Sequence, residues 1–253
     1  MKRIRLTICY FGDNYCGWQV QDNLPTVQSA MQDALEKLYG IRPPVIGCSR
    51  TDSKVHAKRY VCCFDIPEEK NTIPVERIPF ALSSVLPYDI ACLCAKEVDL
   101  DFHPRYSCIG KEYKYLIYNA PIPDPFFHNR AWHCKKELDL GSMQEAVPYI
   151  VGKKDFRAFM ASGSSVTDTV RDVKSLEISK ENSLITVTVS ADGFLYNMVR
   201  IIAGTLCECG KGSVRPEYLK EIIKSADRKN AGVTAPPHGL YLNRIFYEKE
   251  EIL

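Results

Sequence analysis

The sequence predicts an α+β fold built from two ferredoxin-like (RRM-like) halves. They are expected to share a continuous mixed, mainly antiparallel sheet flanked by helices, with a central cleft. Three observations predict this. The first hundred residues read β-α-β-β-α-β, the order of a split βαβ unit with helices on one face of an antiparallel sheet. The second half follows the same coarse plan of sheet plus two helices. The join near residues 102–111 holds no Pro/Gly/Ser-rich linker, so the halves, 1–105 and 106–253, are expected to meet directly.

Ile4–Tyr10 (IRLTICY) carries the β-branched and aromatic residues of a strand. After the turn-rich stretch 11–25, Val27, Met31, Ala34, Leu35 and Leu38 recur at helical spacing. Thr26 is placed to cap that helix and Gly40 to end it. Val45–Cys48 and Tyr60–Ile66 read as strands joined by a loop over 49–58. Ile78–Val85 reads as a helix stopping before Pro87, and Ile90–Lys96 as a strand.

In the second half, Glu112–Asn119 alternates, with Tyr113, Tyr115 and Ile117 on one face. A helix is expected over Leu140–Val151, capped by Asp139 and ended by Gly152. Val173–Ser179 and Ile185–Ala191 flank the turn Glu181-Asn182-Ser183 as a hairpin. Leu195–Cys209 is an apolar helix whose Gly204 suggests close backbone packing. Glu217–Ala226 follows Pro216 as an amphipathic helix, and Leu240–Tyr247 is the last strand.

The 253 residues are 45% hydrophobic and 25% charged, ordinary for a globular chain, and the formal charge of +2 does not by itself announce a nucleic-acid binder. Any positive field must come from local groups such as Arg50, Lys54, His56, Lys58 and Arg59, or His103, Arg105, Lys111 and Lys114. Charge alone favours solvated strand ends and loops at both. The 11 cysteines include no matched C-x-x-C pairs, so zinc is not expected, and free thiols suit a reducing compartment. Cys92 and Cys94 are expected on one buried strand face. MKRIRLTICYFG lacks the apolar core and cleavage site of a signal peptide, and no apolar run reaches membrane-spanning length. A cytoplasmic chain with no membrane partner is expected.

The segment Ser49-Arg50-Thr51-Asp52-Ser53-Lys54-Val55-His56-Ala57 sets a carboxylate among cations in a loop. Such neighbours lower a carboxyl pKa, and an ionised Asp can serve as nucleophile or base. On composition alone, an Asp52 that caps a turn and pairs with Arg50 is the simpler account.

Order along the chain adds to this. SRTDSKVHA resembles the R-T-D-A-G-V-H-A loop of the tRNA pseudouridine synthase A (TruA) family. YFGDNYCGWQVQ, TVQ, FHPRYSCIGKEYKYLIYN, GKKDFRAF, GFLYNMVRIIAGTL and TAPPHGLYL resemble further blocks of that family, in its order and over nearly the whole chain. The resemblance implies the pseudouridine synthase fold and an isomerase of uridine in the anticodon stem-loop of tRNA, working as a homodimer without cofactor or metal. It implies Asp52 as the nucleophile, Arg200 as its ion-pair partner, and Tyr113 as the ring that stacks on uracil and assists proton transfer. Whether Asp52 attacks C1′, attacks C6 or abstracts a sugar proton stays open. For substrate binding it points to Arg50, which fills the vacated stack or holds the backbone, and to Leu240, a wall of the uracil pocket. Lys54 and Arg105 are further RNA contacts, and His56 and His103 either touch phosphate or serve packing. Trp18 and Gln19 either contact RNA or brace the first strand.

Two departures stand out. Ser53-Lys54 replaces Ala-Gly, so Lys54 either adopts a left-handed backbone or sends the loop along another path. Lys154 replaces a His. The alternatives are a divergent paralogue modifying other RNA uridines, a non-catalytic tRNA-binding protein, or a glycoside-type hydrolase. The last would need a second carboxylate, which this loop does not offer.

Overall fold

A computed structural model describes residues 1–164 and 166–248. The expected α+β class holds, with ten strands and six α-helices among the described residues. The chain divides into two compact units. One comprises residues 1–109 and returns at residue 242; the other spans Gly110–Tyr241.

In the first unit, β1 (Lys2–Tyr10) buries Ile4, Leu6, Ile8 and Tyr10, the period-two pattern of a half-covered strand. It pairs antiparallel with β3 (His56–Ile66) and β4 (Ile90–Val98), and β2 (Val45–Gly47) pairs antiparallel with β3. The order β4-β1-β3-β2 is that of the ferredoxin-like unit, and β10 (Leu240–Tyr247) also lies beside β3. Helix α1 (Val27–Tyr39) starts where the sequence places it. Thr26 and Ser29 form a reciprocal capping box, and Gly40 closes the helix at φ 68°. It packs on β2 and on α2 (Ile78–Ser83), which in turn packs on β4. Cys92 and Cys94, expected on one buried face of β4, are both half-buried and do not share a face: a register shift between them sets Cys92 opposite Ile8 and Cys94 opposite Thr7, which point to opposite sides of β1.

In the second unit, β5 (Cys108–Asn119), β9 (Leu184–Ala191), β8 (Val170–Glu181) and β7 (Gly152–Asp155) are neighbours in that order, each pair antiparallel. β6 (Trp132–Cys134) joins β5 in parallel. The β8–β9 hairpin turns at Asn182-Ser183 as expected, with Asn182 at φ 52°.

The helix expected over 140–151 is instead two: α3 (Leu140–Glu145) and α4 (Val147–Ile150). Pro148 has no N–H to offer the Gln144 carbonyl, and its ring crowds that turn. α5 (Met198–Gly210) starts three residues later than expected. Asn197, at φ 60°, cannot belong to a right-handed helix. α6 (Leu219–Ser225) follows a 3-10 turn at Pro216–Tyr218.

Gly204 carries the close approach its position suggested. A Cβ there would lie 1.8 Å from the Val233 carbonyl oxygen. The same contact is fastened by the Gly232 N–H, which donates to Thr205 Oγ1 at 3.0 Å. Gly204→Ala must therefore push residues 231–235 off α5. A loss of about 2 kcal/mol or more is expected, read as a lower urea midpoint with unchanged m-value. An unaltered midpoint would contradict the contact.

Candidate active site

The loop that bears Asp52 begins after β2 and ends at β3, and residues 10–18 form its cradle. Tyr10 Oη lies 2.8 Å from Thr51 Oγ1, both buried. The Trp18 N–H donates to the Thr51 carbonyl at 3.1 Å, and the Lys54 N–H to the Tyr15 carbonyl at 3.3 Å. Ser53 Oγ donates to the same Tyr15 carbonyl at 3.3 Å. The cradle must come close to do this. Gly17 sits at φ 97°, and a Cβ there would be 2.6 Å from the Thr51 carbonyl oxygen, so only glycine fits. Tyr15 Oη donates to Asp89 at 2.6 Å, which anchors the cradle in turn; burial, then Asp89, pushes the Tyr15 phenol well up.

Beneath the loop lies Tyr60, fully buried on β3. Its hydroxyl donates to the Ser49 carbonyl and accepts the Ser49 N–H at 3.4 Å. Its ring is stacked on Trp18, centroids 4.1 Å apart and 25° between planes. Burial raises the Tyr60 phenol far above its ordinary value, so it remains a neutral donor. Trp18, expected to contact RNA or to brace the first strand, is 3% exposed and packs instead against Tyr60 of β3 and the Thr51 carbonyl. Gln19 is exposed.

Against this buried support, Thr51 is buried, Asp52 half-buried, and Arg50, Ser53 and Lys54 exposed. Lys54 adopts the left-handed backbone, φ 64°. For an L-residue that costs about 1 kcal/mol. His56 is fully buried. Its Nδ1 accepts the Gly12 N–H at 2.9 Å, and its ring stacks on Phe11 at 4.4 Å. These contacts fasten the end of the loop to the cradle.

Farther along the first unit, His103 Nδ1 accepts the backbone N–H groups of Arg105 and Tyr106 at 3.1 and 3.3 Å. Its ring packs on Tyr106, with the exposed Arg105 guanidinium 5.7 Å from that ring's centre. His103 thus folds a tight turn that presents Arg105 and the 76% exposed Tyr106.

In the second unit, Tyr113 and Tyr115 share a face of β5. Tyr113 is 8% exposed and meets Phe194 edge-on, centroids 5.1 Å apart. Tyr115 is fully buried and donates to the Pro236 carbonyl at 2.7 Å. The adjacent Ala235 carbonyl accepts Arg200 Nε at 2.7 Å, and Asn197 Oδ1 accepts Arg200 Nη1 at 2.7 Å. The Ala235 N–H donates back to the Arg200 carbonyl at 3.1 Å. The left-handed Asn197 therefore both starts α5 and orients a guanidinium one turn later. Leu240, 7% exposed, follows Gly239, which lies against the Tyr115 ring.

A family model described as "tRNA pseudouridine synthase" matches residues 7–107 and 146–248. The tRNA pseudouridine synthase A of Thermoanaerobacter sp. (strain X514) is 46% identical over 247 residues, covering 98% of this chain and 100% of that one. That of Ruminiclostridium cellulolyticum is 47% identical over 248 residues, covering 98% and 100%. The tRNA pseudouridine synthase A 2 of Clostridium perfringens is 46% identical over 247 residues with the same coverage. A chain of a solved Cbf5-Nop10-Gar1 complex aligns at a TM-score of 0.36 and 11% identity, covering 96% of this chain and 59% of its own, too distant to bear on the fold.

The Tyr60 hydroxyl is the buried support most open to test. Tyr60→Phe keeps the ring stack but strands the Ser49 carbonyl, at an expected cost of about 1–3 kcal/mol in urea unfolding. Wild-type stability in this variant would show that the hydroxyl does not hold the loop.

Proposed function

The chain belongs to the tRNA pseudouridine synthase family, and from that membership we propose that its isomerase reaction takes place on uridines of the anticodon arm, with Asp52 as the essential carboxylate. In the reaction the C1′–N1 glycosidic bond breaks, the uracil turns, and a C1′–C5 bond forms. The proton on C5 is lost and N1 gains one. Nothing is oxidised or reduced overall, so the chemistry asks for no cofactor or metal.

The observation that best supports Asp52 is its setting. It is half-buried on a loop pinned from below at Ser49 and Thr51 and from the side at Ser53 and Lys54. A carboxylate so held reaches its target without first ordering its own backbone. A uridine within a stem must leave the stack to be reached, and the exposed Arg50 fits the part of filling the gap or holding the backbone. Arg200 is our choice for the ion-pair partner of Asp52, because the Asn197 and Ala235 bonds fix its guanidinium in direction. Tyr113 would stack on the uracil and assist removal of the C5 proton, and Leu240 would wall the base. Arg105, exposed beside Tyr106, fits an RNA contact. The internal bonds of His56 and His103 favour bracing over phosphate binding.

The reading extends to a homodimer, which would bring two copies of a modest basic surface onto one tRNA and suits a net charge of only +2. It also extends to a cytoplasmic location. Among the described residues no helix is long and apolar enough to cross a membrane.

Asp52→Asn tests the centre of this reading. With unmodified tRNA transcripts and base-resolution mapping, the wild type should form pseudouridine at anticodon-arm uridines. The variant should lose about a thousandfold or more in rate while its tRNA Kd stays within about threefold. Wild-type rates in the variant would remove Asp52 from the chemistry. Product only outside the anticodon arm would remove the proposed target.

A further inference from the structure

Six described non-glycine residues have a left-handed backbone: Asn23, Lys54, Asn129, Asn182, Asn197 and Ala226. Asparagine tolerates that conformation through local hydrogen bonds, and Ala226 closes α6. Lys54 has neither reason. Its backbone is fixed by its own N–H on the Tyr15 carbonyl and by the Val55 N–H on the Asp52 carbonyl at 3.2 Å. Its side chain is exposed, and among the described residues its ammonium makes no hydrogen bond or ion pair. A side chain that strains the backbone and serves no internal contact points outward, to a ligand.

The neighbours of Lys54 define that ligand's chemistry. Across Arg50-Thr51-Asp52-Ser53-Lys54, the exposed cations stand two residues either side of the half-buried carboxylate. Inside a polynucleotide, each nucleoside is flanked by a phosphate on either side. The loop is the charge complement of that unit: cation, acid for the sugar and base, cation. We propose that Lys54 is a positioning and specificity residue that takes the phosphate on one side of the target uridine, with Arg50 toward the other. The loop then selects a nucleotide within a strand over a free nucleoside. An ammonium on a four-carbon stem suits this as a mobile point charge that needs no fixed fork geometry. The proposal rests on the reading that Asp52 engages the target nucleotide.

The test compares wild type, Lys54→Gly and Lys54→Gln. Glycine removes both charge and strain; glutamine removes only charge. With an unmodified tRNA transcript, both variants should raise KM about tenfold with the change in kcat held to about twofold. Filter binding of the same transcript from about 50 to 200 mM KCl should show the slope of log K against log salt shallower by about one in both. Lys54→Gly alone should raise Tm. A higher Tm in Lys54→Gly with unchanged KM and salt slope would overturn the proposal. So would a loss confined to kcat, which would mark Lys54 as a shaper of the loop. If the wild type forms no pseudouridine, the isomerase reading fails, while the slope comparison still decides whether Lys54 holds phosphate.

Discussion

The hydroxyl of Tyr60 is the point on which the Asp52 loop depends. It donates to one backbone group of Ser49 and accepts from the other, so the loop leaves β2 with its first residue held on both sides. The ring beneath it is stacked on Trp18, and the Trp18 N–H holds the Thr51 carbonyl. Aromatic packing and hydrogen bonding are thus not separable here. Loosening the stack would release Thr51, and losing the hydroxyl would leave a part-buried carbonyl without its partner, costing about 1–3 kcal/mol. Burial pushes the phenol far above its ordinary range, which favours the neutral, donating form that the brace needs.

The second unit uses the same device with different residues. Two consecutive carbonyls, Ala235 and Pro236, accept Arg200 Nε and Tyr115 Oη. A loop whose carbonyls are committed in this way cannot drift, and neither can the guanidinium tied to it. Gly204 and Gly232 allow that loop to lie on α5 at backbone contact distance. In both units, buried tyrosines and close-packed glycines hold the loops that carry or contact the candidate site residues. Rigid support of this kind preserves the geometry a reacting centre needs.

Much of the fold was legible because its signals are local. Thr26 and Gly40 mark both ends of α1, the alternation over 112–119 marks β5, and Asn182 marks the β8–β9 hairpin. Position-specific glycine was legible too, since Gly204 inside an apolar helix has few other uses. What escaped was either too short or dependent on distant partners. Trp132–Cys134 and Gly152–Asp155 form strands of three and four residues, too brief to show a period. Pro148 breaks an otherwise good helical pattern, and α5 lacks the first turn that its apolar pattern suggests because of a left-handed Asn197 that no periodicity reveals. At the site, the order of motifs carried the reaction class, and the departure at Lys54 was visible as a choice between two backbones, of which the left-handed one is taken. The bracing by Tyr60 was not visible. It joins β3 to a loop residue eleven positions earlier, and nothing in an apolar strand marks one tyrosine as the support of the Asp52 loop.

Native-state amide exchange at Trp18, Lys54 and Val55 tests this most directly, because the first two N–H groups tie the Asp52 loop to its cradle and the third closes the loop on the Asp52 carbonyl. A loop held as described predicts that the Trp18 amide opens only near global unfolding, within about 1 kcal/mol of the total stability, with Lys54 and Val55 clearly protected. Exchange of all three at the rate of a free peptide would mean that the loop has no rigid support and that Asp52 is ordered only by its substrate.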